Sequence, residues 1–190
     1  MLSEGRSSSV LLQATSDESY HGLERGSHVC ARRPGVITEA PPNGEAMSEI
    51  RSVTPEEAKA LIEQGHVYVD VRSEPEFEAG HPPGALNVPI SHAGPAGMTP
   101  NPDFVAVMTQ AFGKGEALVV GCKAGGRSKR AVDALRAAGF SNLCDMSAGW
   151  DGGRDAFGRK LQGWREAGLP SESGAPSGQA YTDVKTRTPR

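Results

Sequence analysis

The sequence predicts an α/β domain with a mainly parallel sheet. Short apolar runs typical of buried strands, such as residues 67–71 and 117–121, alternate with segments whose apolar residues recur at helical spacing. Strands that alternate with helices in this way are joined by crossover connections and lie parallel in one sheet. Because ligands of such folds bind beyond the carboxyl ends of the strands, the residues that follow each apolar run are the first candidates for function.

The individual elements follow from their start and stop signals. Thr54, Pro55 and Glu57 form a capping box with proline at the first helical position, and Gly65 ends that helix. Residues 92–102 are predicted to be a loop because glycine and proline interrupt them repeatedly. The other predicted elements are a strand over 67–71, a short helix over 74–79, an extended segment over 85–90, a helix over 104–112, a strand from 117, a helix over 128–138 and a strand over 142–146.

The composition indicates that only part of the chain folds. The 190 residues include 24 glycines and 14 prolines, a content that favours unstructured segments. We expect residues 1–47 to be a disordered leader, unless Met47 is the natural start. We expect residues 48–170 to form the folded domain and residues 171–190 to be a disordered tail.

Charge and hydropathy exclude several classes of partner. The net charge of −3 gives no support to binding of nucleic acid or of an anionic membrane. No apolar run approaches the ~18 residues of a transmembrane helix. We therefore expect neither a nucleic acid nor a membrane as partner.

The cysteines indicate a reducing compartment. Cys30, Cys122 and Cys144 are too few and too scattered for a disulfide framework, and no Cys-x-x-Cys pair is present to bind zinc. We therefore expect a cytoplasmic protein with no metal and no cofactor. Cys144 lies in an apolar predicted strand and is expected to be a core thiol, with a role as a resolving cysteine as the alternative.

The most informative segment is Cys122-Lys123-Ala124-Gly125-Gly126-Arg127-Ser128. It connects a predicted strand to a predicted helix, and a cysteine is its first residue. The backbone N–H groups of such a loop point inward and the helix dipole adds partial positive charge, so the turn favours an anion. A thiol held there is expected to be partly thiolate and nucleophilic, although free cysteines are often buried structural thiols.

The neighbours of Cys122 suggest how an anion would be held. Lys123 and Arg127 either attract an anionic substrate or are solvated, and the planar fork of Arg127 also suits a role in fixing the loop. Ser128 either caps the following helix or contacts the substrate. Asp70 and Arg72 follow another predicted strand and are expected to form a structural ion pair at the same edge as Cys122.

Several segments in order resemble a single-domain rhodanese, from about residue 52 to residue 170. They are Asp70-Val71-Arg72 followed by Glu74-Pro75-Glu76-Phe77, the run from Gly80 to Pro89, the Cys122 loop, Gly149, and Trp164-Arg165-Glu166-Ala167-Gly168-Leu169-Pro170. The resemblance implies a central, mainly parallel five-stranded sheet flanked by helices on both faces. It also implies that Cys122 takes a sulfane sulfur from a small anionic donor such as thiosulfate and becomes a persulfide. The backbone amides of residues 123–128 would hold it until a thiol or cyanide accepts the sulfur.

Two alternatives share this fold. Phosphatases and arsenate reductases related to rhodanese have five residues between cysteine and arginine, whereas four separate Cys122 from Arg127, and the shorter loop favours sulfur transfer. A persulfide carrier or partner-binding module is the second alternative. The sequence also departs from the family near Gly149, because about ten residues are inserted between Trp150 and Trp164, and either tryptophan could pack behind the site.

Overall fold

The computed structural model describes residues 50–188. The predicted leader over residues 1–47 and the alternative start at Met47 lie outside the described residues. In chain order the elements are β1 (Arg51–Ser52), α1 (Pro55–Glu63), β2 (Val67–Asp70), α2 (Glu74–Glu78), β3 (Leu86–Asn87), β4 (Ser91–Gly94), β5 (Gly97–Pro100), α3 (Phe104–Ala111), β6 (Leu118–Gly121), α4 (Gly126–Ala137), β7 (Leu143–Met146), β8 (Gly153–Arg154), β9 (Lys160–Leu161) and α5 (Tyr181–Val184).

Five parallel strands form the central sheet in the order β1-β7-β6-β2-β3. The predicted α/β class with a five-stranded parallel sheet is confirmed. Strand β6 is central and pairs with both β2 and β7, so the residues at its carboxyl end are surrounded by the ends of two other strands. This arrangement places the segment after β6 at the middle of the binding edge.

The side chains of the strands alternate between two apolar cores, as the two-residue period of a strand requires. Val120 points into a core that includes residues of α3, α4 and α5. Tyr68 and Val119 point into the opposite core, which includes residues of α1 and α2 and both tryptophans. Helices therefore cover both faces of the sheet, as expected.

Helix caps largely follow the sequence signals. The Thr54 hydroxyl accepts a hydrogen bond of 3.2 Å from the Glu57 N–H, and the Glu57 carboxylate accepts one of 2.8 Å from the Thr54 N–H. Helix α4 begins at Gly126, two residues earlier than predicted. The reason is that Gly125, with a φ of 88°, is the N-cap in the left-handed region, a conformation that costs glycine little.

Two segments contain hairpins where the sequence did not predict them. The predicted loop at residues 92–102 contains the antiparallel pair β4 and β5. The insertion between the tryptophans contains the pair β8 and β9. Glycine and proline mark the turn of the first hairpin and Gly158 lies in that of the second, but the strands are too short and too exposed to show an apolar alternation.

The tail predicted to be disordered after residue 170 is instead ordered through residue 188. Glu172 exchanges two backbone hydrogen bonds of 2.9 Å with His81, and the Asn87 N–H donates to the Gln179 carbonyl at 2.9 Å. Val184, on α5, is fully buried in the core beside α3 and α4. The prediction is wrong because these residues lack a periodic pattern of their own and are ordered by tertiary contacts.

Among the residues described, none of the helices combines the length and the apolar character needed to cross a bilayer.

Candidate active site

Cys122 lies at the carboxyl edge of the sheet, directly after β6. Asp70 is the last residue of β2 and is paired in register with Gly121. The two predicted functional segments therefore share one edge, as their positions after apolar runs led us to expect. Cys122 itself is only 1% exposed, so its sulfur lies at the floor of the loop rather than on the surface.

The first two carbonyl groups of the loop turn away from the Cys122 sulfur, and one amide turns toward it. The Cys122 carbonyl accepts a hydrogen bond of 2.7 Å from the Trp150 N–H, and the Lys123 carbonyl accepts one of 2.9 Å from the Asp151 N–H. In contrast, the Gly125 N–H donates to the Cys122 Sγ at 3.1 Å. The amides in the first turn of α4 have no carbonyl one turn earlier to bind, so this end of the loop favours negative charge.

Close backbone contacts fix the shape of the loop. A Cβ atom on Gly125 would lie 2.2 Å from the Ser147 carbonyl oxygen, and one on Gly149 would lie 2.5 Å from the Lys123 carbonyl oxygen. Both glycines have positive φ values, 88° and 69°. Only glycine fits at these two positions, because any side chain would be strained and would collide with the neighbouring backbone.

Arg127 is held by a carboxylate that sequence reasoning missed. Its two terminal nitrogens donate to the two oxygens of Glu76 at 2.6 and 2.8 Å. The same carboxylate accepts from the Ser73 hydroxyl at 2.7 Å. Arg127 therefore fixes the loop to α2, which is one of the two roles expected for it. The sequence marked Glu76 only as part of the segment Glu74-Pro75-Glu76-Phe77 and by its capping-box spacing from Ser73, and neither signal predicted its contact with Arg127.

The environment of Glu76 favours its charged form. Burial by itself raises the pKa of this carboxyl, but hydrogen bonds from Arg127 and Ser73 outweigh it and lower the pKa to about 2. Conversely, the hydrogen bonds to Glu76 raise the pKa of Arg127, against the effect of burial. The pair is therefore ionised over the whole physiological range.

The other predicted loop residues differ in exposure. Lys123, Ala124 and Gly126 are exposed around the opening of the loop, and the Lys123 ammonium lies 3.7 Å from the Asp151 carboxylate. Ser128 is fully buried, and its hydroxyl donates to the Gly125 carbonyl at 3.0 Å. Ser128 is also within hydrogen-bond distance of the Cys122 Sγ, at 3.5 Å.

Asp70 and Arg72 form a buried ion pair beside the loop. The Arg72 Nη2 donates to Asp70 at 2.6 Å and to the Gly80 carbonyl at 2.6 Å. Burial lowers the pKa of Arg72, but the hydrogen bond and charge of Asp70 raise it further, so the net direction is upward. The guanidinium also lies 4.9 Å from the centre of the Trp150 ring. These contacts support the structural role expected for the pair.

Both tryptophans are buried behind the site. Trp150 binds the loop through its backbone and stacks on Arg72, while Trp164 packs near Tyr68 with ring centres 6.0 Å apart. The Trp164 backbone N–H donates to the Gly149 carbonyl at 3.0 Å, and the Arg165 backbone N–H donates to the Trp150 carbonyl at 3.1 Å. The inserted hairpin thus leaves and rejoins the fold at one place without displacing Trp164.

Cys144 is not brought to Cys122. It is 5% exposed and belongs to the core on the α1 side of the sheet, whereas Cys122 belongs to the core on the α4 side. Burial raises the pKa of the Cys144 thiol. Its placement is that of the expected core thiol. Within residues 50–188, no group of three or more histidine, cysteine or acidic residues is arranged to hold a metal ion.

Comparison with known proteins agrees with this architecture. Thiosulfate sulfurtransferase 16, chloroplastic, of Arabidopsis thaliana is 38% identical over 122 residues, which cover 64% of this chain and 92% of the relative. Protein HIGH ARSENIC CONTENT 1, mitochondrial, of the same plant is 34% identical over 112 residues, which cover 59% and 66%. The crystal structure of Rv0390 from M. tuberculosis superimposes with a TM-score of 0.53 at 28% identity, covering 65% and 97%.

The expected cytoplasmic location is contradicted by these relatives. The two plant proteins are named as chloroplastic and mitochondrial, not as cytoplasmic. The prediction is wrong because it depended on the small number of cysteines. A low cysteine content indicates only that no disulfide framework is needed, and it does not distinguish one reducing compartment from another.

The family model of the rhodanese-like domain matches residues 54–156. These residues include four of the five sheet strands, the Cys122 loop, and the Glu76 and Asp70 contacts that support it. The identity to a named thiosulfate sulfurtransferase points to the same family. The chain therefore belongs to the rhodanese-like domain family of sulfurtransferases.

Proposed function

We propose that Cys122 transfers a sulfane sulfur from thiosulfate, or a related small anionic donor, to a thiol or cyanide acceptor through a persulfide. The observation that carries this proposal is the Gly125 N–H donating to the Cys122 Sγ at 3.1 Å inside a loop whose first two carbonyls turn outward. Such a loop stabilises negative charge on the sulfur without a general base.

The reaction divides into two displacements at sulfur. The Cys122 thiolate attacks the outer sulfur of thiosulfate, and the S–S bond of the donor breaks with its electron pair leaving on sulfite. The persulfide anion then remains on Cys122. In the second step the acceptor attacks the outer sulfur, the new S–S bond breaks, and Cys122 leaves as thiolate. Covalent capture replaces one difficult transfer by two easier ones.

Because Cys122 is buried, the persulfide brings the transferable sulfur closer to solvent than the cysteine sulfur is. Cys122 is 1% exposed, so a bulky acceptor has little access to its sulfur. Adding one sulfur extends the reactive atom toward the opening of the loop. There the exposed residues Lys123, Ala124 and Gly126 surround it, and the Lys123 ammonium attracts the anionic donor.

The engagement of Arg127 favours sulfur transfer over phosphate or arsenate chemistry. A tetrahedral oxyanion is commonly bound by the two-pronged face of an arginine, but here both prongs of Arg127 donate to Glu76. Only four residues separate Cys122 from Arg127, which leaves a narrow loop. An arsenate reductase activity is kept as the second candidate, because one relative is named HIGH ARSENIC CONTENT 1.

The test is a thiosulfate:cyanide assay on the full chain and on Cys122→Ser, with Cys144→Ser as the matched control. We expect Cys122→Ser to lose activity and Cys144→Ser to keep it. Mass spectrometry after thiosulfate treatment should find one added sulfur on Cys122. Undiminished activity in Cys122→Ser, or the added sulfur on Cys144, would overturn the proposal. Arsenate reduction exceeding sulfur transfer would favour the second candidate instead.

A carrier role is distinguished by the acceptor. A persulfide that forms on Cys122 but turns over negligibly with cyanide or small thiols, and rapidly with a protein thiol, would identify a persulfide carrier rather than a thiosulfate:cyanide enzyme.

A further inference from the structure

The hairpin inserted between the two tryptophans takes no part in the reaction derived above. Its strands β8 and β9 are two residues long each and pair antiparallel. The insertion is closed at its base, where the Trp164 backbone N–H donates to the Gly149 carbonyl at 3.0 Å. None of residues 154–162 is buried, and none belongs to either apolar core. The hairpin is therefore an addition to the surface rather than a part of the packing.

The base of the hairpin lies against the Cys122 loop. A Cβ atom on Gly153, the first residue of β8, would lie 3.1 Å from the Ala124 carbonyl oxygen. Phe157 follows four residues later, so its Cα lies within about 14 Å of Gly153, the span of four extended residues. A protein that brings a thiol to the opening of the loop would therefore also reach the turn of the hairpin.

The turn of the hairpin is ordered by its own hydrogen bonds and holds Phe157 in solvent. The Asp155 carboxylate accepts from the backbone N–H groups of Phe157 and Arg159, both at 2.9 Å. The Arg154 guanidinium donates to the Gly158 carbonyl at 2.8 Å. Phe157 is nevertheless 85% exposed. A single exposed apolar side chain is common on protein surfaces, but a side chain on an ordered turn loses less entropy when a partner buries it.

The hairpin and the residues at its base carry an excess of positive charge, although the whole chain has a net charge of −3. The Arg159 guanidinium lies 5.4 Å from the centre of the Phe157 ring. Within residues 50–188, Arg154 forms no ion pair with a carboxylate. The cationic side chains are Lys123, Arg154, Arg159, Lys160 and Arg165, and the carboxylates that pair with four of them are Asp151, Asp155 and Glu166. This surface is complementary to a partner that is acidic.

We propose that the inserted hairpin docks a protein acceptor: an acidic polypeptide segment that brings a cysteine thiol to the Cys122 persulfide and an apolar side chain to Phe157. The proposal rests on the proposed function of Cys122. In the transfer, the acceptor thiolate attacks the outer sulfur, the S–S bond to Cys122 breaks, and Cys122 leaves as thiolate. The acceptor keeps the sulfur as its own persulfide. Cyanide is too small to touch the hairpin while it reacts, so the hairpin acts only on protein acceptors.

The test measures sulfur transfer from the full chain, loaded with thiosulfate, to synthetic cysteine peptides. The probe peptide carries glutamates and a leucine five positions from its cysteine, because five extended residues span about 16 Å. One control peptide has serine in place of the leucine, and the other has lysines in place of the glutamates. Mass spectrometry follows the sulfur added to each peptide. We expect kcat/KM for the probe peptide to exceed that for each control about five- to tenfold, the effect of removing one central contact from an interface.

Substitutions in the hairpin show which side chain causes each preference. Phe157→Ala should transfer sulfur equally well to the leucine and serine peptides. Arg154→Gln should reduce the preference for glutamate over lysine and weaken its dependence on salt. Both variants should keep the rate of wild type with cyanide. Val105→Ala is the matched control, because it removes an exposed apolar side chain of α3, and it should keep every preference.

Two results would overturn the inference. One is equal transfer by wild type to the leucine and serine peptides, and the other is a leucine preference that persists in Phe157→Ala. If these peptide preferences are absent and wild type but not Phe157→Ala binds phosphatidylserine vesicles, the hairpin contacts lipid instead. Failure of thiosulfate to form a persulfide on Cys122 would overturn the proposed function, and measuring that persulfide before the peptides are added distinguishes the two failures.

Discussion

Replacing Glu76 with glutamine should both destabilise the protein and misplace the Cys122 loop. Glu76 forms a two-pronged ion pair with Arg127 and accepts from Ser73, and no other carboxylate contacts Arg127 in the described part of the chain. Glutamine is nearly the same size but is neutral, so the substitution removes the charge while keeping most of the packing.

The magnitude follows from the pKa of the carboxyl group. It is lowered from its ordinary value of 4.5 to about 2, which at about 1.4 kcal/mol per pH unit corresponds to about 3 kcal/mol before screening. The Glu76 side chain is 28% exposed and that of Arg127 is 16% exposed. Screening by solvent reduces the expected loss of unfolding free energy to about 1–2 kcal/mol near neutral pH.

The effect should depend on pH in a definite direction. Because the folded-state pKa of Glu76 is lowered, its contribution to stability is complete above the unfolded value of 4.5 and is lost as the pH falls through about 2. The difference in unfolding free energy between wild type and Glu76→Gln should therefore shrink to less than about half near pH ~3. Urea denaturation at several pH values measures it.

Activity provides the second measurement. We expect kcat/KM for thiosulfate to fall about tenfold in Glu76→Gln, since small displacements of a positioned nucleophile are costly. Glu78→Gln is the matched control, because it changes an exposed carboxyl on the same helix. A stability loss in Glu76→Gln that is constant over this pH range, or equal losses in the two variants, would refute the reasoning.

Two further substitutions test the packing of the site and of the C-terminal segment. Gly125→Ala should lower the unfolding free energy by at least about 2 kcal/mol and abolish sulfur transfer, because its Cβ would lie 2.2 Å from the Ser147 carbonyl oxygen. The control is Gly139→Ala, at a position with a positive φ but open space around it. This variant should lower the unfolding free energy by about 1–2 kcal/mol and keep activity. Val184→Ala should lower the unfolding free energy measured by urea denaturation by about 1–3 kcal/mol. Its control, Thr182→Ala at an exposed position of the same helix, should lower it by less than about 0.5 kcal/mol. Equal effects of the two substitutions would mean that α5 does not stabilise the fold.

Local sequence signals were sufficient to predict the helices and strands that position the candidate site. The capping box at Thr54, the apolar run before Cys122 and the alternation of strands with helices each depend on neighbouring residues along the chain. Helix caps and strand periodicity are local properties, so the class of fold and the edge of the sheet that holds Cys122 could be predicted correctly.

The contacts that support the loop could not be predicted in the same way. Glu76 lies 51 positions from Arg127, and no property of either residue specifies the other. The Trp150 N–H that binds the Cys122 carbonyl belongs to the segment after β7, and its place beside the loop depends on the register between β6 and β7. Such pairings arise only when the sheet is assembled, because register is decided by the packing of both faces.

By itself, the sequence determined that a cysteine begins a glycine-bearing turn between a strand and a helix, and it therefore predicts an anion-favouring site with a nucleophile in it. Only the tertiary structure decided that Arg127 is held by Glu76, that the sulfur lies buried beside Ser128, and that Tyr181 and Val184 of α5 join the core. The physical reason is range: backbone conformation and capping are set by neighbours in the chain, whereas ion pairs and burial are set by distant segments that meet only in the folded state.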